Sequence, residues 1–252
     1  MRLPVLTRAA GLAAMLLGTA GAAHAAGDTD WIVAPYLWYP DISLDQSSGG
    51  GGGGISASDL LSKTDAAGMI RVEVARNRWG LSVDYLYLSV ADNRNVTIPL
   101  PPNPTLGVRA DLDLTVFEFT GIYRPTGEEA GISYLAGLRS ISTDKVLLVT
   151  PPDGPTERFE GDESVTDFLL GARYLHRFNN RWDLSGRADY SFGDSEGTWN
   201  LIGTLGFRFN DLFAINLGYR HASLEYESNA NGGVETTTIE LSGPLLGFVF
   251  RF

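Results

Sequence analysis

The sequence of 252 residues has no cysteine and only two lysines, Lys63 and Lys145. Without cysteine, disulfide bonds do not stabilise the fold. Lys and Arg together number 19 against 30 acidic residues, so the chain lacks the basic surface that nucleic-acid binding requires. After residue 25 no apolar run reaches the length of a membrane-spanning helix, about 18 residues. These absences exclude a disulfide scaffold, a nucleic-acid-binding protein and a protein that crosses a membrane with helices.

The first 25 residues differ from the rest of the chain. Arg2 and Arg8 are followed by an apolar run rich in alanine and leucine over residues 9–23, and Ala23-His24-Ala25 has the small-x-small pattern of a cleavage site. This layout predicts a secretory signal peptide over residues 1–25. Its removal would leave 17 basic and 30 acidic residues, a net charge of about −13.

Apolar and polar residues alternate along most of the remaining chain. In the segment 181–192 the even positions include Trp182, Leu184 and Tyr190, whereas the odd positions are charged or small and polar. Such a segment forms a β-strand with one apolar and one polar face. The pattern recurs in ten segments. They cover residues 31–44, 67–77, 79–91, 107–124, 131–149, 163–178, 181–193, 197–210, 212–227 and 235–252.

The connections between these segments alternate in length, as they do in membrane β-barrels. The tight connections are 76–79, 125–130, 179–180 and 210–211. The longer or turn-rich ones are 49–54, 99–104, 151–155, 193–197 and 228–233. The pattern predicts one all-β domain over residues 26–252, a closed up-and-down antiparallel transmembrane β-barrel of about ten strands, with eight or twelve as the alternatives. Both ends of the mature chain are then expected on the same side of the barrel.

Aromatic residues lie near both ends of the predicted strands, on their apolar faces. Those near the tight turns are Trp79, Tyr123, Phe178, Trp182 and Phe213, and those toward the longer loops are Tyr87, Tyr190, Phe192 and Trp199. Two such rings are typical of barrels in a bilayer, where these side chains lie at the level of the lipid headgroups. The alternative, a soluble barrel, would expose rows of aromatic residues to water. The pattern therefore favours a membrane barrel.

The end of the chain alternates to a terminal phenylalanine through Leu246, Phe248, Phe250 and Phe252. This ending resembles the assembly signal of bacterial outer-membrane barrels, which implies that the barrel assembly machinery recognises Phe252. The chain as a whole resembles an uncharacterised family of proteobacterial outer-membrane barrels, which implies the same location and brings no known activity. The stretches that carry this resemblance are Ser58–Leu61 (SDLL), Gly80–Leu88 (GLSVDYLYL), Ala136–Arg139 (AGLR), Leu170–Tyr174 (LGARY), Leu217–Arg220 (LGYR) and Gly243–Phe252 (GPLLGFVFRF).

Six arginines and five acids are predicted to face the inside of the barrel. They are Arg71, Glu73, Asp84, Glu118, Arg139, Asp167, Arg173, Arg187, Asp189, Arg208 and Arg220. Buried charges persist only when they are paired and hydrogen-bonded, so this nearly balanced set predicts ion pairs that fill most of the lumen. In the fourth segment the apolar positions change from even to odd near Val116 and Phe117, which predicts a β-bulge. Residues 56–61 allow a short helix with Ser58 as its N-cap, but a flexible loop is the favoured interpretation of this segment.

A possible catalytic set lies near the far end of the ninth segment. His221 has the same parity as Tyr219, which predicts that it faces outward near the rim, and Ser223 and Glu235 follow it. Serine, histidine and a carboxylate together hydrolyse esters. His221-x-Ser223 followed by Asn231-x-Gly-x-Glu235 resembles the catalytic segment of lipid A 3-O-deacylase barrels, which implies a lipid-modifying esterase. Members of the uncharacterised family tend to have an aromatic and acidic run after LGYR, where this chain has the sequence HAS.

The sequence therefore predicts an outer-membrane barrel with a structural or adhesive role, or a narrow porin-like one, and a largely filled lumen. The alternative is the esterase, with His221, Ser223 and Glu235 as its catalytic residues; no other catalytic residue is expected. A ten-stranded protease of the omptin type is disfavoured because His221 is predicted to face lipid. No cofactor or metal is expected, since the acidic residues of 153–163 lack the spacing of a metal-binding loop. Outer-membrane lipid, including lipopolysaccharide, is the expected partner.

Overall fold

The computed structural model describes residues 29–46, 53–55, 64–97, 105–152, 154–230 and 233–252. All secondary-structure elements in these ranges are β-strands. They are β1 (Thr29–Trp38), β2 (Asp41–Gln46), β3 (Gly53–Ile55), β4 (Thr64–Arg76), β5 (Trp79–Thr97), β6 (Thr105–Tyr123), β7 (Gly131–Thr150), β8 (Glu157–Arg177), β9 (Trp182–Gly193), β10 (Gly197–Arg208), β11 (Phe213–Ala230) and β12 (Gly233–Arg251). The signal peptide predicted over 1–25 and the segment 56–61, considered as a loop or a short helix, lie outside the described residues.

No helix that is long and apolar enough to span a membrane occurs among the described residues.

The strands form one closed barrel. Each strand from β4 to β12 pairs with its sequence neighbour, and β1 pairs with both β4 and β12, all antiparallel. β2 continues β1 along the same edge of β12, so β1 and β2 act as one barrel strand, and β3 only adds to β2. The closed sheet therefore has ten strands in up-and-down order, and the predicted fold is confirmed.

A break at Tyr39 and Pro40 separates β1 from β2. Proline has no N–H to donate to the ladder, so regular pairing with β12 stops at this point. The strand opposite carries Gly243, where a Cβ atom would collide with the carbonyl oxygen of Tyr39. Glycine is therefore required at this position, because only a residue without a side chain lets the broken strand approach β12.

Both ends of the described chain lie at one end of the barrel, here called the turn end. The N–H of Trp31 donates to the carbonyl of Phe252 at 3.0 Å, and the N–H of Phe252 donates to the carbonyl of Trp31 at 2.9 Å. The tight connections also lie here. In the first of them Asn77 adopts a positive φ of 53°, which asparagine tolerates better than most residues. The opposite end of the barrel is called the far end.

At the far end several strands are longer than the alternation predicted. The segments expected over 79–91 and 163–178 are Trp79–Thr97 and Glu157–Arg177 in the structure. The connection expected over 228–233 is mostly strand, since Ala230 pairs with Gly233. The prediction ended these strands where their outward residues become polar. The backbone pairing continues beyond that point.

The outward face of the barrel carries an apolar belt. Its exposed side chains include Trp79 (69%), Phe168 (63%), Leu217 (60%) and Trp199 (56%). Across the other strands it includes Leu37, Leu81, Tyr85, Phe117, Phe119, Tyr134, Leu138, Leu170, Tyr174, Trp182, Leu184, Phe192, Leu201, Leu205 and Tyr219. On β9 the belt runs from Trp182 to Phe192, eleven residues that are joined by ten residue steps. At roughly 3.3 Å per residue and a strand tilt of about 40°, it is about 25 Å tall.

Beyond the belt, toward the far end, the inward face of the sheet becomes apolar and the outward face becomes polar. The β-bulge predicted at Val116 and Phe117 is wrong. β5 and β6 pair without a register shift, with Leu86 opposite Val116 and Tyr85 opposite Phe117. The change of parity arises because apolar side chains turn from the outward to the inward face. They form an apolar cluster inside the far half of the barrel. Its members are Tyr36, Trp38, Ile42, Met69, Leu86, Leu88, Val90, Leu114, Val116, Ala222, Leu241 and Leu245.

Candidate functional site

The interior of the turn half is organised around a buried carboxylate. Glu73 on β4 is 2% exposed and accepts hydrogen bonds from three arginines. Arg173 donates to both of its oxygens, at 2.8 and 3.0 Å. Arg124 donates to Oε1 at 2.8 Å and Arg71 to Oε2 at 3.0 Å. Three positive charges around one carboxylate make this cluster depend on the ionised form of Glu73.

A second cluster lies nearer the middle of the barrel. Arg139 and Arg187 each donate to Glu118, both at 2.8 Å. The same two arginines bind Asp189, where the Arg187 contact is 2.6 Å and the Arg139 contact is a short ion pair. The two carboxylates and two guanidinium groups thus alternate in charge. All four residues are less than 9% exposed, and each charge has hydrogen-bonded partners of opposite charge, which offset the cost of its burial.

Polar side chains continue the second cluster across the lumen. Asn200 donates to Asp189 at 2.8 Å and accepts from the Nε of Arg220 at 2.8 Å. The guanidinium of Arg220 lies 4.5 Å from the centre of the Trp38 ring, a cation–π contact. Trp38 belongs to the apolar cluster. Arg220 therefore connects the ion-paired layer to the apolar layer above it.

At the turn end, Glu129 joins two strand ends. It lies in the connection between β6 and β7 and accepts from Arg251 at 2.6 Å and, by a shorter contact, from Arg177. Burial by itself raises the pKa of Glu129. The charge of Arg251, the hydrogen bond from Arg251 and the charge of Arg177 together lower it by more, so the pKa lies below its usual value of 4.5. The ionised carboxylate is thus the form that the fold favours.

A cavity of about 170 Å³ lies among these clusters. Its lining includes the charged residues Arg71, Arg173 and Arg220 and small or apolar residues such as Ala34 and Gly247. The space is large enough for several water molecules, and the charged side chains along its wall offer hydrogen-bond partners for them. Arg187 of the second cluster and Tyr36 of the apolar cluster also border the cavity.

The inward orientation predicted for the charged residues agrees with these contacts, whereas other members of the clusters were not identified from the sequence. Arg124, 2% exposed, is the last residue of the segment predicted over 107–124 but was not among the residues predicted to face inward, and Glu129 lies in the predicted connection 125–130. Continuing the even parity of Glu118 and Thr120 by two steps would have identified Arg124 as inward. Glu129 has no such signal, because it lies outside any alternating segment.

The residues of the alternative catalytic site lie on β11 and β12. His221 and Ser223 share the outward face of β11, and the Nδ1 of His221 is 2.6 Å from the Oγ of Ser242. The backbone of Glu235 lies opposite Ser228, seven positions along β12 from Ser242. At roughly 3.3 Å per residue this is about 23 Å along the strand. The structure therefore brings His221 to Ser242 and separates it from the backbone of Glu235. Catalysis by these residues stays a prediction.

Within the ranges that the structure describes, no three His, Asp or Glu side chains are arranged to hold a metal ion.

No protein-family model and no curated protein sequence matches the chain. Several solved structures resemble it in overall form. The translocator domain of the autotransporter NalP from Neisseria meningitidis matches 98% of this chain and 97% of its own, with 12% identity and a TM-score of 0.45. A FadL homologue from Pseudomonas aeruginosa matches 89% and 90%, with 11% identity and a TM-score of 0.38. The attachment invasion locus protein Ail of Yersinia pestis matches 89% and 99%, with 12% identity and a TM-score of 0.38. Identities this low assign no activity to any residue of this chain.

Proposed function

We propose that the protein is an integral barrel of the bacterial outer membrane with a closed lumen and a structural or adhesive role. The apolar belt carries this proposal. Its height of about 25 Å matches the hydrocarbon region that membrane barrels span. In water, the same surface would be an aggregation hazard, because it far exceeds the apolar patches of soluble proteins.

Two further features support the location. Aromatic side chains border the belt at both ends, with Trp79 packed beside Tyr123 at 4.8 Å between ring centres and Trp199 beside Tyr190 at 4.7 Å. Such rings belong at the two headgroup levels. Export by the predicted signal peptide and recognition of Phe252 by the barrel assembly machinery would deliver the chain there, in contact with lipopolysaccharide.

The closed lumen is supported by the two successive layers of the interior. Glu118, Asp189 and their arginines fill one layer with ion pairs, and the apolar cluster fills the next. A ten-stranded barrel is far narrower than the barrels of about sixteen strands that leave an aqueous channel. Under this proposal the cavity near Glu73 is a water-filled pocket and no solute crosses the barrel.

Recording from planar bilayers tests the closed lumen. The wild-type protein is expected to give small or no conductance steps, and so is Arg187→Ala, because the apolar cluster still closes the lumen when one guanidinium is removed from the second cluster. Large and stable steps in the wild type would show that the lumen is open. A narrow porin-like role would then replace the proposal.

Tryptophan fluorescence tests the location. Variants that keep only Trp79 or only Trp199 are expected to be quenched by brominated lipids, because both residues lie on the belt. A variant that keeps only Trp38, which is 6% exposed inside the barrel, is the matched control and is expected to be quenched much less. Equal quenching of all three would contradict a bilayer around the belt.

A lipid-modifying esterase is the second candidate. The contact of His221 with Ser242 favours it, since the two side chains lie outward at the border between the belt and the polar residues beyond it. A histidine paired with a serine hydroxyl is the minimal base and nucleophile of such chemistry. The hydrolysis assay described in the Discussion distinguishes this candidate from the main proposal.

A further inference from the structure

The far half of β8 has a free edge. β9 pairs with β8 only between Asp167 and Arg177, and its last residue, Gly193, lies opposite Asp167. On its other side β8 pairs with β7 as far as Glu157. Among the described strands, none pairs with residues 157–165 on the β9 side. The hairpin of β7 and β8 thus projects past the short connection between β9 and β10.

The backbone groups that point to this edge follow from Thr166. Its N–H donates to the carboxylate of Asp194 at 3.0 Å, and its carbonyl accepts from the N–H of Asp194 at 3.5 Å. Both groups of Thr166 therefore point away from β7. Because backbone groups alternate in direction along a strand, the residues of the same parity, Arg158, Glu160, Asp162 and Ser164, present their N–H and carbonyl groups to the same edge.

The outward face beside the edge carries uncompensated negative charge. Asp113, Asp144 and Asp162 lie directly opposite one another on β6, β7 and β8. Like charges in opposed positions destabilise a sheet. Glu160 forms a short ion pair with Arg158, so one of the nearby acids is partly neutralised. A cationic neighbour on the outward face of the edge would reduce the electrostatic repulsion among these aspartates.

The inward face of the same hairpin carries exposed apolar side chains beside an exposed ion pair, in which the Nζ of Lys145 lies 3.9 Å from an Oε of Glu163. Phe159 is 54% exposed and lies opposite Leu147, which is 38% exposed. Between Phe159 and Glu163 lies Gly161, where a Cβ atom would meet nothing within 4 Å. A strand that paired with the edge would therefore find room for large apolar side chains on its inward face.

From these features we propose that the β8 edge at residues 158–164 binds an extended segment of a partner protein in which basic and apolar residues alternate. The segment adds a strand to the sheet, its basic residues lie beside Asp162 and Glu160, and its apolar residues cover Phe159. A second copy of this chain is a poor occupant, because its own edge would bring acids against acids.

A short synthetic peptide that alternates lysine and valine is the probe, and the full mature chain in lipid nanodiscs is the target. Fluorescence anisotropy of the labelled peptide measures binding. The comparison peptide has the same composition with its lysines in one block, and we expect it to bind about tenfold more weakly, since it matches the charge but not the alternation. Equal binding of the two peptides would overturn the proposal, because it would indicate unspecific attraction to an acidic surface.

Two substitutions at Asp162 separate the contribution of backbone hydrogen bonds to peptide binding from the contribution of charge. Asp162→Pro removes one N–H from the edge without affecting the pairing with β7 and is expected to weaken binding about fivefold or more. Asp162→Asn keeps the N–H and is expected to weaken binding through charge alone. Glu240→Gln is the matched control, since Glu240 is exposed and outward on β12, which has neighbours on both sides at that position. Unchanged binding by folded Asp162→Pro would refute strand addition. If that variant fails to fold, equal binding by Asp162→Asn and wild type refutes the proposal.

Discussion

The substitution Glu73→Gln tests whether the interior is held by charge. Glu73 accepts four hydrogen bonds from Arg71, Arg124 and Arg173. The amide keeps one acceptor oxygen, but its NH2 group faces guanidinium donors, so two of the four bonds are lost and the other two lose their charge assistance. Three guanidinium groups then lack their carboxylate in a site that is 2% exposed.

The expected cost is about 3–5 kcal/mol, the range found when one partner of a buried ion pair is removed. This cost is measured by unfolding the protein from lipid bilayers with guanidinium chloride, followed by tryptophan fluorescence. The dependence of the unfolding free energy on denaturant concentration is compared between variants. Glu160→Gln is the control, because its ion pair with Arg158 is exposed and contributes little. A loss below about 1 kcal/mol for Glu73→Gln would mean that water or backbone groups satisfy the arginines, and that the cluster does not organise the turn half.

Three further outcomes are expected. The pKa of Glu129 is lowered in the folded state, so its contribution to stability is present above about pH 4.5 and lost as the pH falls; Glu129→Gln is expected to reduce the loss of stability in acid, and parallel pH profiles of unfolding would contradict this. Gly137→Ala brings a Cβ atom against the carbonyl of Phe119 and is expected to prevent barrel formation, which is measured as the loss of the mobility difference between heated and unheated samples in SDS gels. Gly203→Ala has open space around the added Cβ atom and is expected to keep this difference. Incubation with lipopolysaccharide is expected to release no acyl chain by mass spectrometry; release that Ser242→Ala abolishes would establish the esterase with the His221–Ser242 pair, and release that Ser223→Ala abolishes would establish it with the serine that the sequence indicated.

The alternation of apolar and polar residues was sufficient to predict the strands and their number. Trp182 to Phe192 illustrates the reason, since a two-residue period is local and remains readable without any partner strand. The same reading placed Glu118, Arg139 and Arg187 on the inward face. It did not extend to the far end, where the face that carries Leu86 and Val116 becomes apolar, because parity alone does not say whether a face meets lipid, water or another wall of the barrel.

By itself, the sequence determined that this chain forms an up-and-down barrel with an apolar outside and charged residues inside, because each of these properties depends on neighbours two residues apart. Tertiary structure decided which charges meet. Arg173 reaches Glu73 across 100 residues of sequence, and Arg251 reaches Glu129 across 122. Such contacts require the register of every strand between them and the closure of β1 on β12, which no local pattern encodes. Closure also left the far edge of β8 unpaired, since the length of β9 relative to β8 matters only once the two strands lie side by side.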